Sequence, residues 1–190
     1  FVTSHAFAQG NIGTLDDRSS SGGYRVDGSW GLYTVPAGSS TDSNDPRVER
    51  KLSPKIERGN GWYKYEATYN IVNANNTTIA QILNYDSNSS DRYYPVLFVN
   101  VKSDGGNWAL SHRSNPAFFK IAKNSSGSTP TFKMRIESDG TKAKVYINGS
   151  LKYTETFDRL GTNSEMRYGA YHHGSGTAKI RVKTVSFTAP

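Results

Sequence analysis

The richest group of chemically active side chains lies near the end of the sequence, in the segment Met166–His173. If this segment is a strand, alternation places four of its residues on one face: Arg167, Gly169, Tyr171 and His173. A tyrosine beside cations can accept a proton, and a glycine beside it would let a ligand approach the backbone closely. The alternative is a structural ladder of aromatic side chains that ends in exposed histidines, and this segment alone leaves both interpretations open.

A second group of charges lies in the segment Arg47–Lys51. As a strand, it would place Arg47, Glu49 and Lys51 on one face. Adjacent opposite charges on that face could fix one another's side chains and leave a guanidinium ready to bind a carboxylate. The competing interpretation is the solvated outer face of an edge strand.

A single glutamine, Gln81, stands inside the apolar run Ile79–Leu83. A buried amide needs hydrogen-bond partners. Gln81 is therefore either a structural residue or an amide donor directed at a bound oxygen in a groove, and the run itself favours neither.

The composition restricts the classes of protein that these residues can serve. The chain has 190 residues, which predicts one domain spanning residues 1–190. The net charge of +7 favours a polyanionic partner. The absence of cysteine excludes disulfides, thiol nucleophiles and cysteine-based zinc sites, and we predict no metal site and no cofactor. No apolar run is long enough to span a membrane and no nucleic-acid module is apparent, so neither partner is expected.

Hydrophobic alternation with a period of two dominates the chain, and this pattern predicts an all-β sandwich or barrel. The clearest strands are predicted over residues 47–52, 63–69, 78–85, 94–102, 132–137, 142–147, 151–157, 166–173 and 177–187. Asn148-Gly149 predicts a tight hairpin, and a change of phase predicts a bulge near Thr184. The polar loop 37–45 is a candidate lid, and the first thirty residues are expected to wrap across the sandwich rather than form central strands.

Taken together, three segments resemble the signature of β-jelly-roll polysaccharide lyases, namely the family 7 alginate lyases and related uronate lyases. That family carries an R-x-E-x-R strand, a Q-I-H strand and a C-terminal Y-F-K-x-G-x-Y-x-Q strand. Here the three motifs appear in the same order as Arg47-Val48-Glu49-Arg50-Lys51, Gln81-Ile82-Leu83 and Arg167-Tyr168-Gly169-Ala170-Tyr171-His172-His173. The departures are a lysine for the last arginine of the first motif, a leucine for the histidine, and an arginine and a histidine in the third motif. The resemblance covers about residues 47–187 and implies a jelly-roll sandwich of two antiparallel sheets.

The resemblance implies that the protein cleaves a uronate polymer by β-elimination. Arg47 and Gln81 would neutralise the substrate carboxylate, which acidifies the proton at C5 of the sugar. Tyr171 matches the family's catalytic tyrosine and would transfer protons. Four further residues are expected to bind substrate: Glu49, Lys51, Arg167 and His173.

Leu83 stands where the family has its second base, and three outcomes remain open. Tyr171 can act as base and then as acid, which geometry allows for mannuronate and glucuronate but not for guluronate or iduronate. Alternatively, another histidine takes the role of the base, and His112 is the candidate. The third outcome is a non-catalytic carbohydrate-binding module on the same scaffold.

The expected partner is an acidic polysaccharide, and the sequence does not choose among alginate, glucuronan and ulvan. The absence of cysteine together with enrichment in Gly, Ser, Asn and Tyr favours a secreted protein. We expect it to be a monomer.

Overall fold

The structure is a computed structural model that describes residues 11–38, 45–85, 93–112 and 117–190. Within these ranges the chain forms strands and no helix, and hence no helix that could cross a membrane. The strands are β1 (Thr14–Asp17), β2 (Gly23–Asp27), β3 (Trp30–Pro36), β4 (Arg47–Lys51), β5 (Ile56–Glu57), β6 (Tyr63–Asn73), β7 (Thr77–Tyr85), β8 (Tyr93–Asp104), β9 (Asn107–Ser111), β10 (Phe119–Ala122), β11 (Phe132–Ser138), β12 (Lys142–Ile147), β13 (Ser150–Thr156), β14 (Asn163–His172) and β15 (Thr177–Thr188). They build two antiparallel sheets, which confirms the predicted all-β jelly-roll sandwich.

The order of the strands brings the three candidate segments together. The eight-stranded sheet runs β1-β4-β14-β7-β8-β9-β10, with β5 paired to β14, and the seven-stranded sheet runs β13-β12-β11-β6-β15-β3-β2. Strand β14 therefore lies between β4 and β7. In this register Tyr171 is opposite Arg47, and Arg167 is opposite Gln81. Segments far apart in the sequence thus meet on three adjacent strands of one sheet.

The N-terminal part of the described chain supplies an edge strand to each sheet. Strand β1 pairs with β4, and β2 pairs with β3 at the end of the seven-stranded sheet. The expectation that this region forms no central strand is confirmed. Because β4 pairs with β1 on one side and with β14 on the other, the interpretation of Arg47–Lys51 as an exposed edge strand is wrong.

Four tyrosines fill the space between the sheets, because alternation on β3, β6 and β14 directs them inward. Their side chains are fully buried: Tyr33, Tyr65, Tyr69 and Tyr168. Their hydroxyls are satisfied within the core; for example, that of Tyr168 donates to the backbone carbonyl of Ile12 at 2.7 Å. Burial raises the pKa of each of these four phenols above its usual value. These tyrosines are structural and unsuited to proton transfer with a ligand.

Two local predictions are confirmed. Asn148 and Gly149 connect β12 to β13 with positive φ angles of 50° and 82°, as a tight hairpin of this type requires. Thr184 has a φ of 50° and lies where the pairing of β15 with β6 shifts register, so the predicted bulge is present. Most of the candidate lid 37–45 lies outside the described residues.

Candidate active site

A cleft of about 340 Å³ opens on the outer face of the eight-stranded sheet, over strands β4, β14, β7 and β8. Its walls are formed by Arg18, Arg47, Lys51, Gln81, Leu83, Tyr93, Pro95, Glu165, Arg167 and Tyr171. Five of the eight residues predicted from the sequence therefore line one cavity: Arg47, Lys51, Gln81, Arg167 and Tyr171.

Arg47 and Tyr171 form a close pair in this cleft. The guanidinium carbon of Arg47 lies 4.0 Å from the centre of the Tyr171 ring, where a cation is attracted to the face of an aromatic ring. The side chain of Arg47 is only 8% exposed, and its Nε has no hydrogen-bond partner among the described residues. A buried N–H of this kind carries a free-energy penalty that a bound acceptor would remove. The pair therefore offers an anion-binding donor directly beside a phenol.

Gln81 is oriented by hydrogen bonds to the buried carboxylate of Glu49. The Nε2 of Gln81 donates to both carboxylate oxygens of Glu49, at 2.7 and 2.9 Å. The two oxygens belong to one carboxylate and lie close together, so a single N–H points between them. The second N–H of the amide has no acceptor among the described residues, and it remains available for an oxygen in the cleft.

Glu49 itself is fully buried and does not line the cleft. This differs from the expectation that it binds substrate directly: strand β4 turns its carboxylate towards Gln81 and Arg167, not towards solvent. Burial raises the pKa of Glu49, and the nearby charges of Arg167 and Arg47 oppose that increase. Its position makes Glu49 a residue that orients Gln81.

Arg167 is enclosed by carboxylates and is only 4% exposed. Its Nε donates to Glu165 at 2.6 Å, and its Nη1 lies 3.2 Å from Asp16 and 3.9 Å from Glu49. Burial alone would raise the pKa of Asp16, but hydrogen bonds from Lys51 and Arg18 outweigh this effect and lower it. Arg167 is therefore largely neutralised within the protein, whereas no carboxylate of the described residues lies within salt-bridge distance of Arg47.

Gly169 serves packing within the protein and does not admit a ligand, which corrects the expectation from the sequence. A Cβ at this position would lie 2.5 Å from the carbonyl oxygen of Val48 and 2.9 Å from the Cα of Glu49. The φ angle of Gly169 is 135°, which other residues rarely adopt. The glycine allows β4 to approach β14 closely, and so brings Arg47 to Tyr171.

His173 lies beside Tyr171, with 4.1 Å between the ring centres. Its Nδ1 is 2.7 Å from the carboxylate of Asp45, and its Nε2 is 3.1 Å from the hydroxyl of Thr78. Both ring nitrogens are thus committed to protein partners. The His173 ring packs against the Tyr171 ring. Its nitrogens do not face the cleft, so the expectation that His173 binds substrate is not supported by its position.

His112 is not brought to the cleft. It follows β9, is 3% exposed, and stacks on Tyr153 of the other sheet with ring centres 3.3 Å apart. Burial lowers the pKa of His112 to about 4, although a carboxylate oxygen of Glu155 lies 3.6 Å from its Nδ1. This placement at the edge of the core argues against a base that reaches the cleft.

The pKa of His112 leads to a prediction about stability. Since its folded-state pKa of about 4 lies below the usual 6.5, the unfolded chain binds more protons between these values, and stability falls as pH falls through this window. We expect His112→Phe, which retains a ring against Tyr153, to remove about 3 kcal/mol of this pH dependence. Denaturant unfolding of both proteins at pH 4 and pH 7 measures it. If the free energy of unfolding fell by the same amount between pH 7 and pH 4 in both proteins, the pKa of His112 would not be lowered by folding.

Sequence reasoning missed several residues of the site. Glu165 shares a face with Arg167 two positions away, so alternation could have found it. Asp16, Arg18 and Tyr93 come from strands or loops that the tertiary fold brings to the cleft, and no local pattern marks them. Among the described residues, no group of three or more His, Asp or Glu side chains could hold a metal ion.

Comparison with known proteins identifies solved structures that share this fold. No protein-family model and no curated protein sequence matches the chain. Among solved structures, the family 7 alginate lyase AlyA1 from Zobellia galactanivorans superposes with a TM-score of 0.68 over 92% of this chain and 82% of its own, at 17% identity. The fold is that of the family 7 alginate lyases.

Two further structures show the same likeness. An alginate lyase from Pseudomonas aeruginosa has a TM-score of 0.68 and 20% identity, covering 88% of this chain and 86% of its own. The alginate lyase AlyC3, in complex with dimannuronate, has a TM-score of 0.58 and 13% identity, covering 85% of this chain and 74% of its own. The chain thus has the fold of these polysaccharide lyases.

Proposed function

We propose that this protein is a polysaccharide lyase that cleaves an acidic, uronate-containing polymer by β-elimination. The observation that carries the proposal is the Arg47–Tyr171 pair, in which a buried guanidinium N–H with no partner among the described residues lies against a phenol that lines the same cleft. A uronate offers a carboxylate to the first group and a proton at the adjacent carbon to the second. Such polymers occur outside cells, so we propose that the protein acts there.

The chain's own residues supply each step of the reaction. Arg47 and the second N–H of Gln81 bind the substrate carboxylate and stabilise the negative charge that develops on it when the C5 proton leaves. The oxygen of Tyr171, as the general base, accepts that proton. The electrons of the C5–H bond form the C4=C5 double bond, the C4–O4 bond breaks, and Tyr171 returns the proton to O4.

Leu83 determines which sugars this arrangement can process. Its apolar side chain lines the cleft and accepts no proton, and His112 lies elsewhere, stacked on Tyr153. With Tyr171 as both base and acid, the C5 proton and O4 must lie on the same side of the ring. Mannuronate and glucuronate satisfy this condition, whereas guluronate does not. The fold neighbour solved with dimannuronate is compatible with this preference.

Replacing Leu83 with histidine should extend the range of substrates. Leu83→His introduces a base on the face of the ring opposite O4, so we expect cleavage of polyguluronate to rise about tenfold or more. Cleavage of polymannuronate should change much less. Initial rates on the two polymers measure the ratio, with Leu83→Met as the control for altered packing. An unchanged ratio in Leu83→His would contradict the assignment of this position.

A product-absorbance screen tests the proposed function. The C4=C5 double bond conjugated to the carboxylate absorbs ultraviolet light, so absorbance should grow with polymannuronate or glucuronan and hardly at all with polyguluronate. If these polymers bind but no absorbance develops on any of them, the chain is a carbohydrate-binding module on a lyase scaffold.

A further inference from the structure

The positive charge of the protein is concentrated on the side opposite the cleft. The outer face of the seven-stranded sheet carries nine cations, Arg25, Lys64, Lys133, Arg135, Lys142, Lys144, Lys179, Arg181 and Lys183, on strands whose alternate residues fill the core. It carries three acids, Asp27, Glu66 and Glu137, so its net charge is +6. We call this surface the basic face. The cleft, by comparison, sets four cations against three carboxylates, because Asp16, Glu49 and Glu165 lie among them.

The acids of the basic face are already paired with cations of the same face. Lys133 lies 2.7 Å from Glu66, Arg135 lies 3.2 Å from Glu137, and Arg181 lies 2.8 Å from Asp27. Six cations remain for which the described residues provide no carboxylate within salt-bridge distance: Arg25, Lys64, Lys142, Lys144, Lys179 and Lys183. Uncompensated like charges on one surface attract a polyanion.

Aromatic rings hold several of these cations in place. Trp62 is 38% exposed, and the Nζ atoms of Lys144 and Lys142 lie 4.5 and 5.6 Å from its ring centre. Across the sheet, Lys183 lies 4.3 Å from the Trp30 ring. A cation on an aromatic face is restrained by that ring, which reduces the entropy lost when it pairs with an anion. The exposed ring of Trp62 also offers an apolar surface for the C–H groups of a sugar.

We propose that the basic face binds a second stretch of the same acidic polysaccharide that enters the cleft, an inference that rests on the proposed function for the identity of the polymer. Carboxylates repeated along the chain pair with the lysines that have no carboxylate partner among the described residues, and sugar rings contact Trp62. Binding at two faces raises the effective concentration of the polymer at the cleft, while a short oligosaccharide gains nothing because it cannot span both. The basic face therefore increases affinity for polymer without taking part in the chemistry.

A pair of matched variants tests this inference. Lys142→Glu/Lys144→Glu reverses two charges beside Trp62, whereas Lys123→Glu/Lys152→Glu reverses two charges that lie over Trp108 and Phe119, away from both the basic face and the cleft. Retention in gels containing polymannuronate should weaken about three- to tenfold in the first variant and less than twofold in the second. Rates on trimannuronate should be the same in both, and Lys142→Gln/Lys144→Gln should give a smaller effect in the same direction.

The binding measurement is independent of catalysis, so a protein that failed to cleave any polymer would still be informative. Equal weakening in the two charge-reversal variants would overturn the proposal, because it would show diffuse attraction to the whole protein. Unchanged retention in both variants would also overturn it. Weakened retention on DNA, with retention on polymannuronate unaffected, would assign the basic face to a different class of partner.

Discussion

Tyr171→Phe is expected to abolish turnover while leaving the polymer bound. The substitution removes one hydroxyl and keeps the ring that packs against Arg47 and His173, so the shape of the cleft should survive. The two positions that the sequence offered for a second base do not supply one, because Leu83 has no titratable group and His112 lies outside the cleft. We expect kcat to fall by about a thousandfold or more, since a positioned acid or base typically contributes 10²–10⁴-fold and here one group performs both steps.

The matched control for this variant is Tyr153→Phe, which removes a phenol hydroxyl that bonds to Glu155 at the edge of the core. It should retain nearly full activity. Polymer affinity, measured separately by equilibrium binding, should be within about threefold of the unmodified protein in both variants. Substantial activity in Tyr171→Phe would mean that another group transfers the protons.

Loss of the carboxylate-binding donors should have the second largest effect. Arg47→Ala removes the buried guanidinium, and Gln81→Ala removes the amide that Glu49 orients. Each should lower kcat/KM about a hundredfold, since one preorganised donor to a developing charge contributes roughly 3 kcal/mol. Steady-state kinetics on an oligomannuronate measures these losses without any contribution from the basic face.

Two comparisons separate a local site from general attraction. Lys123→Ala removes one positive charge outside the cleft and should change kcat/KM less than twofold. Arg47→Lys keeps the charge but loses the planar donor geometry, and it should remain well below the unmodified protein. If Arg47→Ala and Lys123→Ala gave equal losses, the cleft would act only as a region of positive potential.

The sheet architecture could be predicted because it depends mainly on local sequence patterns. Alternation along β6 and β15 marks the inward faces, and the Asn148-Gly149 pair needs only its own backbone preferences. The strands that no local pattern predicted are β1, β2, β3, β5, β9 and β10, and all of them except β3 have five residues or fewer. Their existence depends on pairing with neighbours, which a local pattern does not encode.

The site was predictable only in part, because spacing along a strand identifies which residues share a face but not what lies beneath them. Arg47 and Tyr171 could be expected on one surface, and they meet there. The burial of Glu49 under Gln81 could not be foreseen, since it depends on the register of β4 and β14. Gly169 shows the same limit. The sequence indicated that a side chain is missing at this position, but only the three-dimensional structure shows that β4, and not a ligand, fills the space beside it.

The most direct test of the proposed elimination is mass spectrometry of the products of polymannuronate digestion. Elimination breaks the C4–O4 bond without adding water, so each new non-reducing end should be an unsaturated uronate, one water lighter than the saturated sugar. Hydrolysis instead adds one water for each bond cut and leaves saturated ends. Saturated products would therefore show hydrolysis, and an intact polymer that remains bound to the protein would show a binding module; either result would contradict the assignment of a lyase.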